Sequence, residues 1–151
     1  MPLFRRPRPL VDAPPEVVAE GFAAAEAPAL QRSLVAALHH QERADGRELP
    51  GDLEIGRGAG DRLVVIWRNL VVGFVPPDRV APFTALLPDD PRAGVVVRGV
   101  VHHVDGLWRV WVGDRPASGF PPPPAGLDTL AVPPDTLLGI PLPRHDGSGP
   151  A

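Results

Sequence analysis

Apolar residues and turn signals alternate through the middle of the chain, and the pattern predicts a small β-domain. Two β-branched runs, at about 62–67 and 70–75, flank Arg68 and Asn69. Because Asn tolerates the positive φ of tight hairpin turns, this spacing predicts a hairpin. Both runs are apolar at nearly every position, so both faces of their strands are expected to be covered.

A second hairpin is predicted nearer the C-terminus. The apolar run 94–104 is followed by an Asp-Gly pair at 105–106, which is a strong turn signal, and residues 107–112 return as the partner strand. Alternation along this strand places Arg109 and Trp111 on the same face. If that face is exposed, the two side chains form a platform that combines a charge with an aromatic ring.

Helix signals occur before the first hairpin and after it. Asp12 precedes two prolines and an acid, which is typical of a helix start, and Pro28 is placed to begin a second helix. We therefore predict two short helices at about 15–26 and 28–43, and a short inserted helix that begins near Pro76. The predicted fold is α+β: a small, mostly antiparallel β-barrel or strongly curved sheet with two N-terminal helices and one short inserted helix.

Proline is unevenly distributed along the chain. The 151 residues include 22 prolines, which crowd both ends, so the compact part is expected to be much shorter than the chain. This distribution predicts four segments: a flexible Arg/Pro arm at 1–13, the α+β domain at 14–115, a Pro-rich strap at 116–143 and a disordered tail at 144–151. The four prolines that follow Phe120 favour a local polyproline II conformation.

Composition and residue spacing exclude several kinds of chemistry. The chain has no cysteine, which excludes disulfides, thiolate nucleophiles and Cys-ligated zinc. The histidines and serines have no spacing typical of metal ligands or of a nucleophile with its base, so we expect no catalysis, no cofactor and no metal. The net charge is −3 and no apolar stretch approaches the length of a membrane span, so we expect a cytoplasmic protein without a membrane partner.

The order of the elements and one local motif resemble the HIRAN domain, a small β-barrel module. The similarity runs from Gln31 to Val112, and the segment Gly73-Phe74-Val75-Pro76 is similar to the family's Gly-Tyr-Leu-Pro-like turn. The resemblance implies that residues 14–115 form a HIRAN-like domain. It also implies recognition of single-stranded DNA, especially a 3′ end, by a groove on the barrel.

Two hypotheses for the function remain open. The first is a non-catalytic HIRAN-like module that binds single-stranded nucleic acid through a basic, aromatic groove, with the steep salt dependence that phosphate contacts produce. Its candidate site residues are Arg57, Arg62, Arg68, Phe74, Arg109 and Trp111. The alternative is a protein–protein interaction module that uses an apolar barrel face and the Pro-rich C-terminal segment, in which residues 120–124 can themselves be the ligand of an aromatic groove.

Overall fold

The computed structural model describes residues 7–133, 136–137 and 140–141. Its α-helices are short, and its strands are two to eleven residues long. In chain order, the elements are β1 (Leu10–Asp12), β2 (Phe22–Ala23), α1 (Gln31–Ala37), α2 (His40–Asp45), β3 (Leu49–Arg57), β4 (Leu63–Trp67), β5 (Leu70–Phe74), α3 (Val80–Leu86), β6 (Gly94–Val104), β7 (Leu107–Val112), β8 (Thr136–Leu137) and β9 (Ile140–Pro141), with 3-10 helices at Pro15–Val18, Pro28–Leu30 and Pro77–Arg79.

One strongly curled, mostly antiparallel sheet dominates the fold. Its strand order is β2-β7-β6-β3-β4-β5, and β1 pairs in parallel with the start of β6. The long strand β6 pairs with β3 along one edge, and its other edge is shared between β1 and β7. The predicted α+β class with a strongly curved antiparallel sheet is therefore confirmed. Strands β8 and β9 form a separate two-stranded antiparallel sheet.

Both predicted hairpins are present, and their turns adopt the predicted backbone conformation. Arg68 and Asn69 have φ values of 49° and 65°, and Asp105 and Gly106 have φ values of 52° and 79°. These left-handed pairs are typical of the tight turns whose twist matches that of the flanking strands. The hairpins supply much of the core, which contains the buried residues Val65, Trp67, Val72, Trp108, Val110 and Val112 among others.

The prediction of a helix over 15–26 is wrong. Only Pro15–Val18 is helical, as a 3-10 turn, and the chain then enters β2. Beyond β2, Ala25 and Phe74 exchange two backbone hydrogen bonds of 2.8 and 3.1 Å, and Ala24 N–H donates to Val110 O at 2.9 Å. This segment thus connects β7 at one end of the curled sheet with β5 at the other.

The second predicted helix, over 28–43, is divided. A 3-10 turn at Pro28–Leu30 leads into α1, and Leu38, in an extended conformation, separates α1 from α2. Helix α2 ends at Gly46, whose φ of 64° is typical of a left-handed helix end. The inserted helical segment is present as the 3-10 turn Pro77–Arg79 followed by α3.

Within the segment 1–13, which was predicted to be a flexible arm, Leu10–Asp12 form β1 and pair with β6. The Gly94 N–H donates to Pro9 O at 3.0 Å, and Arg8 forms an ion pair with Glu54 on β3. The edge of β6 that would otherwise be free pairs with this short segment. The sequence alone does not reveal that pairing. Residues 1–6 and the predicted disordered tail at 144–151 lie outside the described residues.

Candidate functional site

The face of β6 and β7 that points away from the core brings a histidine, an arginine and a tryptophan together. Trp108, Val110 and Val112 pack into the core, so the alternate residues Arg109 and Trp111 lie on the opposite face. His102 of β6 is paired directly with Arg109, and Val100 of β6 is paired with Trp111. We call these four residues, Val100, His102, Arg109 and Trp111, the outer face.

The outer face is covered, because the Pro-rich strap lies across it. The ring of Phe120 stacks on the imidazole of His102, with centroids 3.9 Å apart and planes inclined by 9°. The same phenyl ring lies 5.9 Å from Trp111. His102 and Trp111 are each only 5% exposed, although they lie on the side of the sheet away from the core. Phe120 is therefore the aromatic anchor of the strap.

Trp111 is held from two sides. Its Nε1 donates a hydrogen bond of 3.1 Å to Asp114 O. The ring lies directly against Gly21, where an added Cβ would come within 2.6 Å of Nε1. The platform of Arg109 and Trp111 that the sequence predicts is thus rigid, but it faces the strap instead of solvent.

A second set of contacts holds the strap after the proline run 121–124. Glu26 is 2% exposed, and its carboxylate accepts hydrogen bonds from the Thr129 N–H, the Thr129 hydroxyl and the Leu130 N–H at 2.7–3.0 Å. The Glu26 N–H in turn donates to Asp128 Oδ1 at 2.8 Å. Asp128 Oδ2 accepts a 2.8 Å hydrogen bond from Arg109 on the outer face. We call Glu26, Arg109, Asp128, Thr129 and Leu130 the latch.

The environment of these groups alters their protonation. The pKa of His102 is lowered to about 4, mainly by burial; Glu48 opposes this shift and the positive charge of Arg109 contributes to it. His102 is therefore neutral at pH 7. Burial raises the pKa of Glu26, but the hydrogen bonds from Thr129 and Leu130 outweigh this effect and hold the pKa below its ordinary value. Glu26 is accordingly ionised at neutral pH.

The strap leaves a cleft on each of its sides. One cleft, of about 500 Å³, lies between the strap, the segment around Phe22 and the residues Pro76 to Arg79. The other, of about 440 Å³, lies between the strap and the β6–β7 hairpin, with His102 and Arg109 in its wall.

The other predicted site residues lie elsewhere. Arg57, Arg62 and Phe74 gather at one end of the β3–β4–β5 ladder, where the guanidinium of Arg62 lies 4.1 Å from the centre of the half-buried Phe74 ring. Arg57 donates to the carbonyl oxygens of Pro88 and Asp90 at 2.8 and 2.9 Å. These contacts form one aromatic and basic patch that is separate from the outer face.

Arg68 lies at the opposite end of β4 and connects the first hairpin to the helices. It donates to both carboxylate oxygens of Glu42, at 2.6 and 2.9 Å, and to Ala37 O at 2.9 Å. Its guanidinium also lies 4.1 Å from the Trp67 ring centre. The hydrogen bond from Arg68 is the main reason that the pKa of Glu42 is lowered to about 2. The geometry of Arg68 is that of a structural ion pair.

Replacing Glu42 by glutamine is expected to lower the free energy of unfolding by about 1 kcal/mol at pH 7, because the bidentate pair is lost but is partly screened by solvent. Urea unfolding of Glu42→Gln measures this loss. The control is Asp45→Asn, which removes another acid of α2. The Asp45 carboxylate accepts a hydrogen bond from Gln41 of the same helix. Equal stability of Glu42→Gln and the wild-type chain would contradict the structural assignment of Arg68.

Three residues of the outer face and the latch were not identified from the sequence. His102 was set aside because the histidines lack the spacing of metal ligands, Glu26 was placed on a helix, and Asp128 was given no role. The signal for Glu26 was present: it is a lone acid in the run Ala-Ala-Ala-Glu-Ala-Pro. Phe120 and the prolines that follow it were proposed as a ligand for an aromatic groove, and in this structure the Phe120 ring packs on His102 and near Trp111 of the same chain.

In the described part of the chain, no three His, Asp or Glu side chains cluster so that they could hold a metal ion. No helix within the described ranges is both long and apolar enough to cross a membrane. Comparison with known proteins found no match: neither a protein-family model, nor a curated protein, nor a solved structure matches this chain. The resemblance to HIRAN domains therefore stays a prediction.

Proposed function

We propose that this chain is a non-catalytic protein-binding module whose ligand groove is the outer face of β6 and β7. The groove takes an extended segment with an aromatic anchor followed by prolines, and the chain's own strap acts as the resident ligand. The observation that carries this proposal is the stack of Phe120 on His102 beside Trp111. Aromatic grooves that receive proline-rich segments are a recurring mode of peptide recognition.

The form of the strap supports an exchangeable ligand over a fixed part of the core. The prolines at 121–124 are exposed, so the strap is held at Phe120 and at the latch instead of along the prolines between them. A polyproline segment is already extended and stiff, so it loses little conformational entropy when it docks or redocks. These properties allow a similar segment of a partner protein to replace the strap.

The charges favour a protein ligand over a nucleic acid. Arg68 and Arg109, two of the predicted phosphate contacts, are paired with Glu42 and Asp128. The chain also has a net charge of −3, so no strong overall field attracts phosphates. Single-stranded nucleic acid, including a 3′ end, is the second candidate ligand. The observation that favours it is the stack of the exposed Arg62 on Phe74, which is a suitable platform for an unpaired base.

The experiment compares peptide binding to the wild-type chain and to a full-length chain with a weakened strap. A synthetic peptide of residues 116–132 carries a fluorescent label, and binding is followed by anisotropy. In the wild-type chain the tethered strap competes at an effective concentration on the order of millimolar. We therefore expect the double variant Phe120→Ala with Asp128→Ala to bind the peptide at least tenfold more tightly than the wild-type chain does.

The matched control is the double variant Ser118→Ala with Val132→Ala, which changes two exposed strap residues and should bind like the wild-type chain. Absence of peptide binding to the weakened-strap variant would overturn the protein-binding proposal. The same chains are titrated with a labelled single strand at low and moderate salt, with a free or blocked 3′ end. Binding of the strand that is lost in Arg62→Ala would favour the nucleic-acid candidate instead.

A further inference from the structure

The latch contains two charged side chains of the domain that direct their hydrogen bonds to the strap. The four hydrogen bonds that the Glu26 carboxylate accepts all come from Thr129 and Leu130. The guanidinium of Arg109 donates to Asp128, and among the described residues its Nη1 is buried without any acceptor. Within the ranges that the structure describes, neither charged side chain has a hydrogen-bond partner in the domain outside the strap.

Glu26 also has a backbone conformation that is costly for its residue type. Its φ is 71°, in the left-handed region that glycine adopts far more easily than a residue with a side chain. Such a conformation is unfavourable for a residue with a side chain, so it persists only where the surroundings require it. A glycine would be the less strained residue here, but it would lack the carboxylate that binds the strap.

The polar contacts are specific for a pair of neighbouring side chains in the strap. An acid is required at position 128, because it must accept from both the Glu26 N–H and the Arg109 guanidinium. A hydroxyl is favoured at position 129, where it donates to a buried carboxylate that also accepts from two successive backbone N–H groups. An apolar or basic side chain at position 128 would leave the Arg109 guanidinium without its acceptor, and one at position 129 would remove the hydroxyl that donates to the Glu26 carboxylate.

We propose that Glu26 and Arg109 form a recognition site for an acid–hydroxyl dipeptide, Asp or Glu followed by Thr or Ser, in an extended partner segment. This inference rests on the proposed function and names the class of its ligand. The partner segment carries an aromatic residue and a proline run, with the acid eight residues after the aromatic, as in Phe120 and Asp128. The aromatic anchor supplies burial, and the dipeptide sets the direction and register of the segment.

Peptide variants test the site on the full-length chain with Phe120→Ala and Asp128→Ala, in which Glu26 and Arg109 are intact. We expect the change of Asp128 to Asn or of Thr129 to Val in the labelled 116–132 peptide to weaken binding at least tenfold. Adding Glu26→Gln to the chain should also weaken binding, and the effect of the Thr129→Val peptide should then be smaller, because the neutral amide accepts a weaker hydrogen bond from the Thr129 hydroxyl than the carboxylate does. Glu20→Gln, at a side chain that is 84% exposed, is the matched control.

Each outcome decides the inference. Binding that is the same for all three peptides would overturn the dipeptide site while leaving the groove as a binding site. If no peptide binds, the proposed function fails. Hydrogen exchange in the full-length chain with no strap substitution then decides whether the latch holds the strap. In that case we expect Glu26→Gln to accelerate exchange of the Thr129 and Leu130 amides at least tenfold. Unchanged exchange would overturn the assignment.

Discussion

Replacing Gly73 by valine is expected to lower the free energy of unfolding by about 3 kcal/mol, at the upper end of the range for overpacked sites. A Cβ at this position would lie 2.7 Å from the Cβ of Ala24 and 3.5 Å from Ala25 O. Neither neighbour can rotate away, because both belong to the segment whose backbone is hydrogen-bonded to β7 and β5. The substitution therefore forces apart the two ends of the curled sheet.

Urea unfolding followed by tryptophan fluorescence measures the effect of Gly73→Val. The matched control is Gly51→Val, a strand glycine where an added Cβ would have Trp67 Nε1 as its nearest neighbour, at 4.0 Å. We expect the control to lie within about 1 kcal/mol of the wild-type chain, as is usual away from tightly packed sites. Equal stability of Gly73→Val and Gly51→Val would contradict the close approach between β5 and the segment that follows β2.

Acidification from pH 7 to pH 4 is expected to remove about 3 kcal/mol of stability through His102 alone. The pKa of His102 is about 4 in the folded chain because the imidazole is buried, against an ordinary value of 6.5. Between these values the unfolded chain binds a proton that the folded chain does not, so stability falls as the pH falls. The charged groups around His102 are Arg109 and Glu48, and Glu48 is itself paired with Arg115.

His102→Phe tests this pH dependence, because it retains a ring that can stack on Phe120 and removes the titrating group. We expect the stability of this variant to be nearly constant from pH 7 to pH 5, measured as the urea midpoint at each pH. His103→Gln, at the exposed neighbouring position, should keep the wild-type slope. An unchanged slope in His102→Phe would contradict the assignment. Below about pH 4.5 the lowered pKa values of Glu26 and Glu42 add a further loss in every chain that retains them.

The two hairpins could be predicted from sequence because their determinants are local. The Asp-Gly pair at 105–106 tolerates left-handed backbone, and β-branched residues on both sides favour extended strands. The turn at Arg68 and Asn69 is likewise flanked by β-branched residues, although no glycine follows Asn69. Each turn and its strands lie within about twenty residues of one another, so no distant contact is needed to specify them.

The Ala-rich segment around Ala24 was misassigned because tertiary contacts override helix propensity there. Alanine is the best helix former, and the apolar spacing of this region favours a helix. In the structure the same small side chains allow the backbone to lie between β7 and β5, where Gly73 leaves room for Ala24. The hydrogen bonds of two distant strand edges outweigh a propensity of a few tenths of a kcal/mol per residue.

The candidate site was predictable only in parts. Alternation along β7 places Arg109 and Trp111 on one face, and the structure bears out this placement. Whether that face is open depends on where the strap returns, and the strap follows β7 by way of a turn that no local pattern specifies. Glu26 and Asp128 meet although they are separated by 102 residues, so their pairing could not be read from spacing.

The sequence by itself determined the hairpins, the central β-domain and the alternation that separates core residues from outer-face residues, because turn chemistry and side-chain periodicity act over a few residues. The tertiary structure decided which strand edges pair, which arginines form ion pairs with acids, and that the proline-rich strap covers the outer face. These outcomes depend on hydrogen bonds and ion pairs between residues far apart in the chain, such as Ala25 with Phe74 and Arg109 with Asp128. Such pairs form only when the sheet curls and brings their partners together.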